Sequence, residues 1–270
     1  MPLASLRRRA GVAPALGCLV ALSLIPAVTD VDAVSVAHAR GHHHRYYPYP
    51  RTFGPEPWQE FGRGRGQGRQ EARGEPGVFD YYVLVLSWSP SFCADAAERN
   101  PERAARNPQC GPRPYTFVVH GLWPQYEQGY PQFCEVPAPR LNRQIVSDML
   151  DLMPAPQLVY HEWDRHGVCS GLSQDAYFDT VRKARQAVKI PAEFENLTAT
   201  RTVSPQQVED AFIAANPGLP GDGISVACSG RRLSEVRICM SRDLSFRGCE
   251  QLERRSCRRD QVVMPPARGG

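Results

Sequence analysis

Residues 78–270 carry no surplus of charge of either sign. The chain has 32 basic and 28 acidic residues; three Arg and two Asp fall in 1–39, seven Arg and four Glu in 40–77, which leaves 22 of each beyond. The formal +4 therefore belongs to the first 77 residues. A neutral body lacks the broad basic face that grips duplex nucleic acid, and leaves room only for a local anion site. A long unbroken apolar run is missing too. Residues 12–28 come nearest, but Pro14, Gly17 and Pro26 interrupt them, which argues against a membrane anchor. With Arg7-Arg8-Arg9 before and Ala37-His38-Ala39 after, residues 1–39 read as a secretory signal. The run continues past Cys18, so that cysteine does not mark a lipoprotein. Once the signal is removed, no stable membrane association is expected. Residues 40–77 nearly lack aliphatic side chains. Their Gly, Pro, Arg and Gln cannot bury enough surface to offset chain entropy, which predicts a disordered linker. His42-His43-His44 and Arg63-Gly64-Arg65-Gly66 read as solvated tail, ahead of a metal site or an RNA contact. No internal repeat is visible.

Cysteine is not scarce. Beyond the signal there are eight: Cys93, Cys110, Cys134, Cys169, Cys228, Cys239, Cys249 and Cys257. An even count in an exported chain predicts four disulfides, whose connectivity the count does not give. It also leaves no spare thiol for a Cys–His nucleophile at Cys169.

Residues 79–88 are β-branched and aromatic and end at Ser89-Pro90, which predicts a buried central strand. Between Cys93 and Cys110, the polar residues 95–107 predict a short helix or loop. A second strand is expected over 115–120, followed by a turn at Gly121-Leu122-Trp123-Pro124. Helical spacing of Leu141, Ile145, Met149 and Leu152 predicts a helix over 141–153 that stops at Pro154. Ser173 caps an expected helix to Val188, and Ser204-Pro205 opens another to about Ala215. Two late strands are expected over 223–228 and 232–240. Helices and strands mix without strict alternation. The expected fold is α+β, a central mainly antiparallel sheet packed with helices and disulfide-bonded. Asn196-Leu197-Thr198 is a glycosylation sequon, meaningful only in a host that glycosylates secreted proteins.

Histidine is rare in this body. Of seven, only His120, His161 and His166 lie beyond residue 77. Two of them fall in HEWDRHGVC (residues 161–169), which crowds two imidazoles, a carboxylate, a guanidinium and the Trp163 indole together. In a helix Glu162 and His166, four apart, share a face, as do His161 and Arg165. An acid, a base and a fixed cation on one patch suit phosphoryl transfer. The two histidines are five apart and diverge by roughly 140°, so they do not form the two-histidine face of a zincin helix.

FVVHGLWPQ (Phe117–Gln125) and HEWDRHGVC resemble the two active-site segments of the ribonuclease T2 family of secreted, often acid-active ribonucleases. SWSPSFC (residues 87–93) resembles that family's first strand and first half-cystine. The likeness spans roughly 79–257 and implies a metal-free, cofactor-free endoribonuclease acting on single-stranded RNA, secreted or periplasmic, expected as a monomer. It implies attack of the ribose 2′-hydroxyl on phosphorus, giving a 2′,3′-cyclic phosphate and then a 3′-phosphate; DNA lacks that nucleophile and should not be cut. The family pattern makes His166 the base and His120 the acid. It has Glu162 and Arg165 steady the phosphorane, His161 hold the phosphate, and Trp123 and Tyr130 face a base. It also suggests the pairs Cys93–Cys110, Cys134–Cys169, Cys228–Cys257 and Cys239–Cys249. Two departures stand out. Arg165 replaces the usual Lys, a planar fork for a point charge. Gln125 replaces a frequent acidic residue, so base preference does not carry over. A protein that binds RNA or inhibits without turnover, and a metal hydrolase, are the alternatives; intact His120, Glu162 and His166 argue against the first.

Overall fold

The computed structural model describes residues 73–253 and 256–267. The expected signal and residues 40–72 of the expected linker lie outside them. Residues 73–77 were expected to belong to that linker, yet they bond to the body. Arg73 exchanges two backbone hydrogen bonds of 3.0 Å with Gln132, and the Gly77 N–H donates to the Cys169 carbonyl at 3.0 Å.

The organising element is β1 (Tyr81–Trp88). Its run is almost continuously apolar because both faces are buried. Tyr82, Leu84, Leu86 and Trp88 enter the main core. Tyr81, Val83 and Val85 face a smaller cluster with Cys239, Cys249 and Leu252. In chain order follow α1 (Ser89–Arg99), α2 (Pro101–Ala105), β2 (Phe117–Gln125), α3 (Arg143–Asp148), α4 (Pro156–Arg165), α5 (Gln174–Ala187), α6 (Ala192–Glu195), β3 (Arg201–Val203), α7 (Pro205–Ala215), β4 (Ile224–Ser229), β5 (Arg232–Met240), α8 (Glu250–Glu253) and β6 (Val262–Met264). The sheet order is β2-β1-β5-β6-β3, with β4 also on β5. Pairing is antiparallel except where β5 meets β6 in parallel at Arg232 and Val263. The α+β reading with a mainly antiparallel sheet thus describes the molecule.

Two helix starts follow the sequence chemistry. The Ser173 side chain accepts from the Ala176 N–H at the head of α5. Ser204 and Gln207 form a reciprocal capping box at α7. The helix expected over 141–153 is shorter, because α3 ends at Asp148 and a turn carries the buried Met149 and Met153 instead. The turn expected at Gly121-Leu122-Trp123-Pro124 is strand. β2 runs through it, paired Val85 to Gly121, Leu84 to Leu122 and Val83 to Trp123. The four disulfides join Cys93–Cys110, Cys134–Cys169, Cys228–Cys257 and Cys239–Cys249, the pairing the resemblance implied. Cys169 is therefore no free nucleophile. No helix among the described residues is long and apolar enough to cross a membrane.

Candidate active site

His120 owes its direction to an irregularity. The β1–β2 register shifts between Val85 and Leu86, which pair with Gly121 and Val119 and leave His120 unmatched. Such a bulge re-aims one side chain and reverses the facing of the residues beyond it. Val119 and Leu122 point into the main core, while Trp123 packs beside the smaller cluster. His120 and Trp123 thereby share one face.

α4 brings the second group. Val159 and Trp163, four apart, turn into the core, and the Trp163 N–H donates to the Pro139 carbonyl at 2.8 Å. The indole of HEWDRHGVC is thus a core residue; the site's indole is Trp123. The helix ends at Arg165, with His166 as its C-cap donating its N–H to the Glu162 carbonyl at 3.0 Å. The expected Glu162–His166 face survives although the helix stops before it. Cys134–Cys169 ties this end to the loop after β2. In the same loop Phe133, at φ 51°, donates its N–H to the Arg165 carbonyl at 2.8 Å. The Arg165 guanidinium lies 5.7 Å from the Phe133 ring centre.

One pocket is lined by His120, Trp123, His161, Glu162, Arg165 and His166, together with Tyr130, Gln125, Arg237 and Gln251. Every site residue expected from the sequence is therefore in one place. The His166 ring stacks on Trp123 at 4.9 Å and 20°, and the His120 ring meets the same indole edge-on at 5.2 Å. The Trp123 N–H donates to Glu162 Oε2 at 2.7 Å. His120 Nε2 is 3.5 Å from Glu162 Oε1. The Arg237 guanidinium is 5.8 Å from the centre of the Trp123 ring. Trp123, expected to offer a face to a base, lines the pocket and has one face stacked on His166.

The buried groups are driven to different charge states. Burial pulls His166 well below the ordinary histidine value, and the neighbouring Arg165, His161 and His120 add to it. Burial acts on His120 in the same direction, but the hydrogen bond and charge of Glu235 and the charge of Glu162 outweigh it and raise that group. Burial lifts Glu162 to about 7, against the pull of His120, Trp123 and Arg165. Beside two arginines and a buried carboxyl, the surroundings thus disfavour the charged form of His166 and favour that of His120. Among the described residues no three of His, Cys, Asp and Glu gather as metal ligands.

His161 carries a stability consequence. Burial, then the charges of Arg165 and His120, push it down to about 3. Below its ordinary value of 6.5 the unfolded chain takes up a proton that the folded site refuses. Stability contributed by neutral His161 is present above 6.5 and is lost as pH falls toward 3, by at most about 1.4 kcal/mol per pH unit. His161→Gln should flatten the fall in Tm between pH 6.5 and pH 4.5 at constant ionic strength. Parallel Tm curves for the two proteins would refute this.

Sequence reasoning missed Glu235 and Arg237. Glu235 Oε1 accepts from His120 Nδ1 at 2.8 Å. Its Oε2 accepts from Arg237 Nε at 3.0 Å and from a terminal nitrogen of Arg237 at 2.6 Å. Their trace in the sequence is two charges, two residues apart, in EVRICM, the otherwise apolar end of a strand.

A model of the ribonuclease T2 family matches residues 79–249. The chain belongs to the ribonuclease T2 family. A ribonuclease of Aeromonas hydrophila is 35% identical over 177 residues, covering 64% of this chain and 77% of the relative. Ribonuclease DdI of Dictyostelium discoideum is 32% identical over 203 residues, covering 68% and 83%. Two solved structures share the T2 fold. An RNase MC1 mutant in complex with 5′-UMP has a TM-score of 0.52 at 24% identity, over 68% of this chain and 97% of that one. RNase NT in complex with 5′-AMP has a TM-score of 0.50 at 23% identity, over 70% and 98%. Membership of this family supports an endoribonuclease.

Proposed function

We propose that the protein is a secreted, metal-independent endoribonuclease that cleaves single-stranded RNA through the ribose 2′-hydroxyl. His166 takes the 2′ proton as the 2′ oxygen attacks phosphorus. His120 gives its proton to the departing 5′ oxygen as the P–O5′ bond breaks. The products are a 2′,3′-cyclic phosphate and a 5′-hydroxyl. In the hydrolytic step the roles reverse: His120 takes a proton from water and His166 returns one to the 2′ oxygen, leaving a 3′-phosphate.

The observation that carries this reading is the pair of imidazoles against one indole, with His166 held below and His120 above the ordinary value. A base must start neutral and an acid protonated, and the opposite shifts of the two rings support that division. The charge of Arg165, with His161 beside it, suits the phosphorane oxygens. Glu162, protonated below about 7, has a hydroxyl to donate to the same oxygens. Trp123 acts on the histidines. Tyr130, on the pocket wall, is the aromatic face left for a base. The nucleotides in the RNase MC1 and RNase NT structures support an RNA substrate here. Four disulfides support an oxidising compartment, extracellular or periplasmic.

RNA digestion in EDTA with analysis of the new ends tests the reading. Cleavage should persist and yield 2′,3′-cyclic phosphates first. Abolished cleavage would favour a metal hydrolase, and binding without any cleavage a non-catalytic homologue.

A further inference from the structure

We propose that Glu235, held in place by Arg237, positions His120 and dictates which of its two nitrogens exchanges the proton. The inference rests on the acid role of His120 given above and adds a residue to it.

The sheet explains how the two residues meet. β1 lies between β2 and β5, so His120 and Glu235 sit two strands apart, about 10 Å between backbones. Ordinary cross-strand pairs do not span that. The bulge at His120 lets its ring lean across β1 near Val85 and Ser87, which pair with Arg237 and Glu235 respectively. Ser87 is small, and by strand alternation it shares the Val85 face. The carboxylate therefore meets the ring over the intervening strand, 115 residues away in sequence.

Glu235 divides its oxygens. Oε1 serves His120 Nδ1, and Oε2 serves Arg237. All three groups are buried. A buried charge pair is weak evidence for stability, because desolvation offsets the attraction. Its value here lies in the proton it fixes. An ionised carboxylate can only accept, so Nδ1 must keep its hydrogen in both states of the ring. The exchangeable proton is left on Nε2, the nitrogen near Glu162. A carboxylate that orients an imidazole this way selects tautomer as well as angle.

Arg237 completes the device. Burial alone would raise the Glu235 carboxyl, yet the charge of Arg237, with that of His120 and their hydrogen bonds, holds it down to about 2. Glu235 thus stays ionised wherever the rest of the site works. The other charged or titratable groups facing His120 are Glu162, His161, Arg165 and His166, from α4 and its C-cap. Of these, Glu162 stands on the Nε2 side of the ring, opposite Glu235.

Glu235→Gln tests the proposal. Arg237 should claim the single amide oxygen and leave the amide N–H groups facing Nδ1. That nitrogen would then have to accept, placing the neutral hydrogen on Nε2 and opposing protonation. We expect kcat to fall about 100-fold or more with KM little changed, the basic limb of the kcat/KM profile to move to lower pH, and the His120 titration to follow it. A wild-type readout does not depend on how the variant folds. Ring ¹⁵N shifts of His120 in the intact protein should show Nδ1 protonated throughout, with Nε2 titrating. An unshifted pH profile in Glu235→Gln, or a neutral wild-type His120 protonated at Nε2, would overturn the positioning role. The two readings fail separately: a wild-type protein that made no cyclic phosphate would defeat the cleavage chemistry, while the ¹⁵N shifts would still decide the tautomer.

Discussion

His120→Ala and His166→Ala should each lower kcat at least ~100-fold while RNA binding persists. The two losses differ in kind. Without His120 the leaving 5′ oxygen departs unprotonated, and Glu162 and Glu235 lose the cation between them. Without His166 the 2′-hydroxyl keeps its proton, and the Trp123 face becomes bare. The proposed chemistry has acid and base act in one transition state, so the double variant should be little worse than either single one. Initial rates at saturating RNA, beside a binding isotherm, are the measurement. A near-normal rate in either single variant would defeat the assignment.

Gly121→Ala should be almost as damaging, although the residue carries no functional group. A Cβ there would lie 1.8 Å from Glu162 Oε2 and 2.6 Å from Trp123 Nε1. Neither neighbour can yield freely. The Glu162 carboxyl is buried and bonded to that indole at 2.7 Å, and the indole is stacked on His166. One methyl group would therefore displace three site residues together. A shift of about 1 Å in a catalytic group is enough for a ~100-fold loss of rate. The crowding itself should cost about 1–3 kcal/mol of stability. Thermal unfolding and kcat measured on the same preparation check both parts. A variant with wild-type rate and Tm would show that the close approach of β2 to α4 is not what sets Glu162.

That glycine also shows where reading from sequence stops. Gly121 and Pro124 suggest a turn by composition, and local propensity has no means of knowing that a carboxylate from α4 needs the space. The strand continues because β1 supplies partners through Val83, and Gly is present because any larger residue would collide. By contrast, β1 was legible, since a run buried on both faces looks continuous. The starts of α5 and α7 were legible because Ser173 and Ser204 act within a few residues of themselves. His120, His161, Glu162, Arg165 and His166 were legible through rarity and crowding rather than through any contact. Trp163 shares that crowded segment, but its spacing from Val159 puts it on the core face of α4. Glu235 and Arg237 escaped because their importance lies across two strands, which no local pattern encodes.

The central claim is that a ribose 2′-oxygen, guided by two histidines, is the attacking atom. An RNA oligonucleotide with a single 2′-deoxyribose at one internal linkage tests it most directly. The predicted result is cleavage at the ordinary linkages, each leaving a 2′,3′-cyclic phosphate, and an intact bond 3′ to the deoxyribose. Cleavage at that bond at a rate comparable to its neighbours would contradict it.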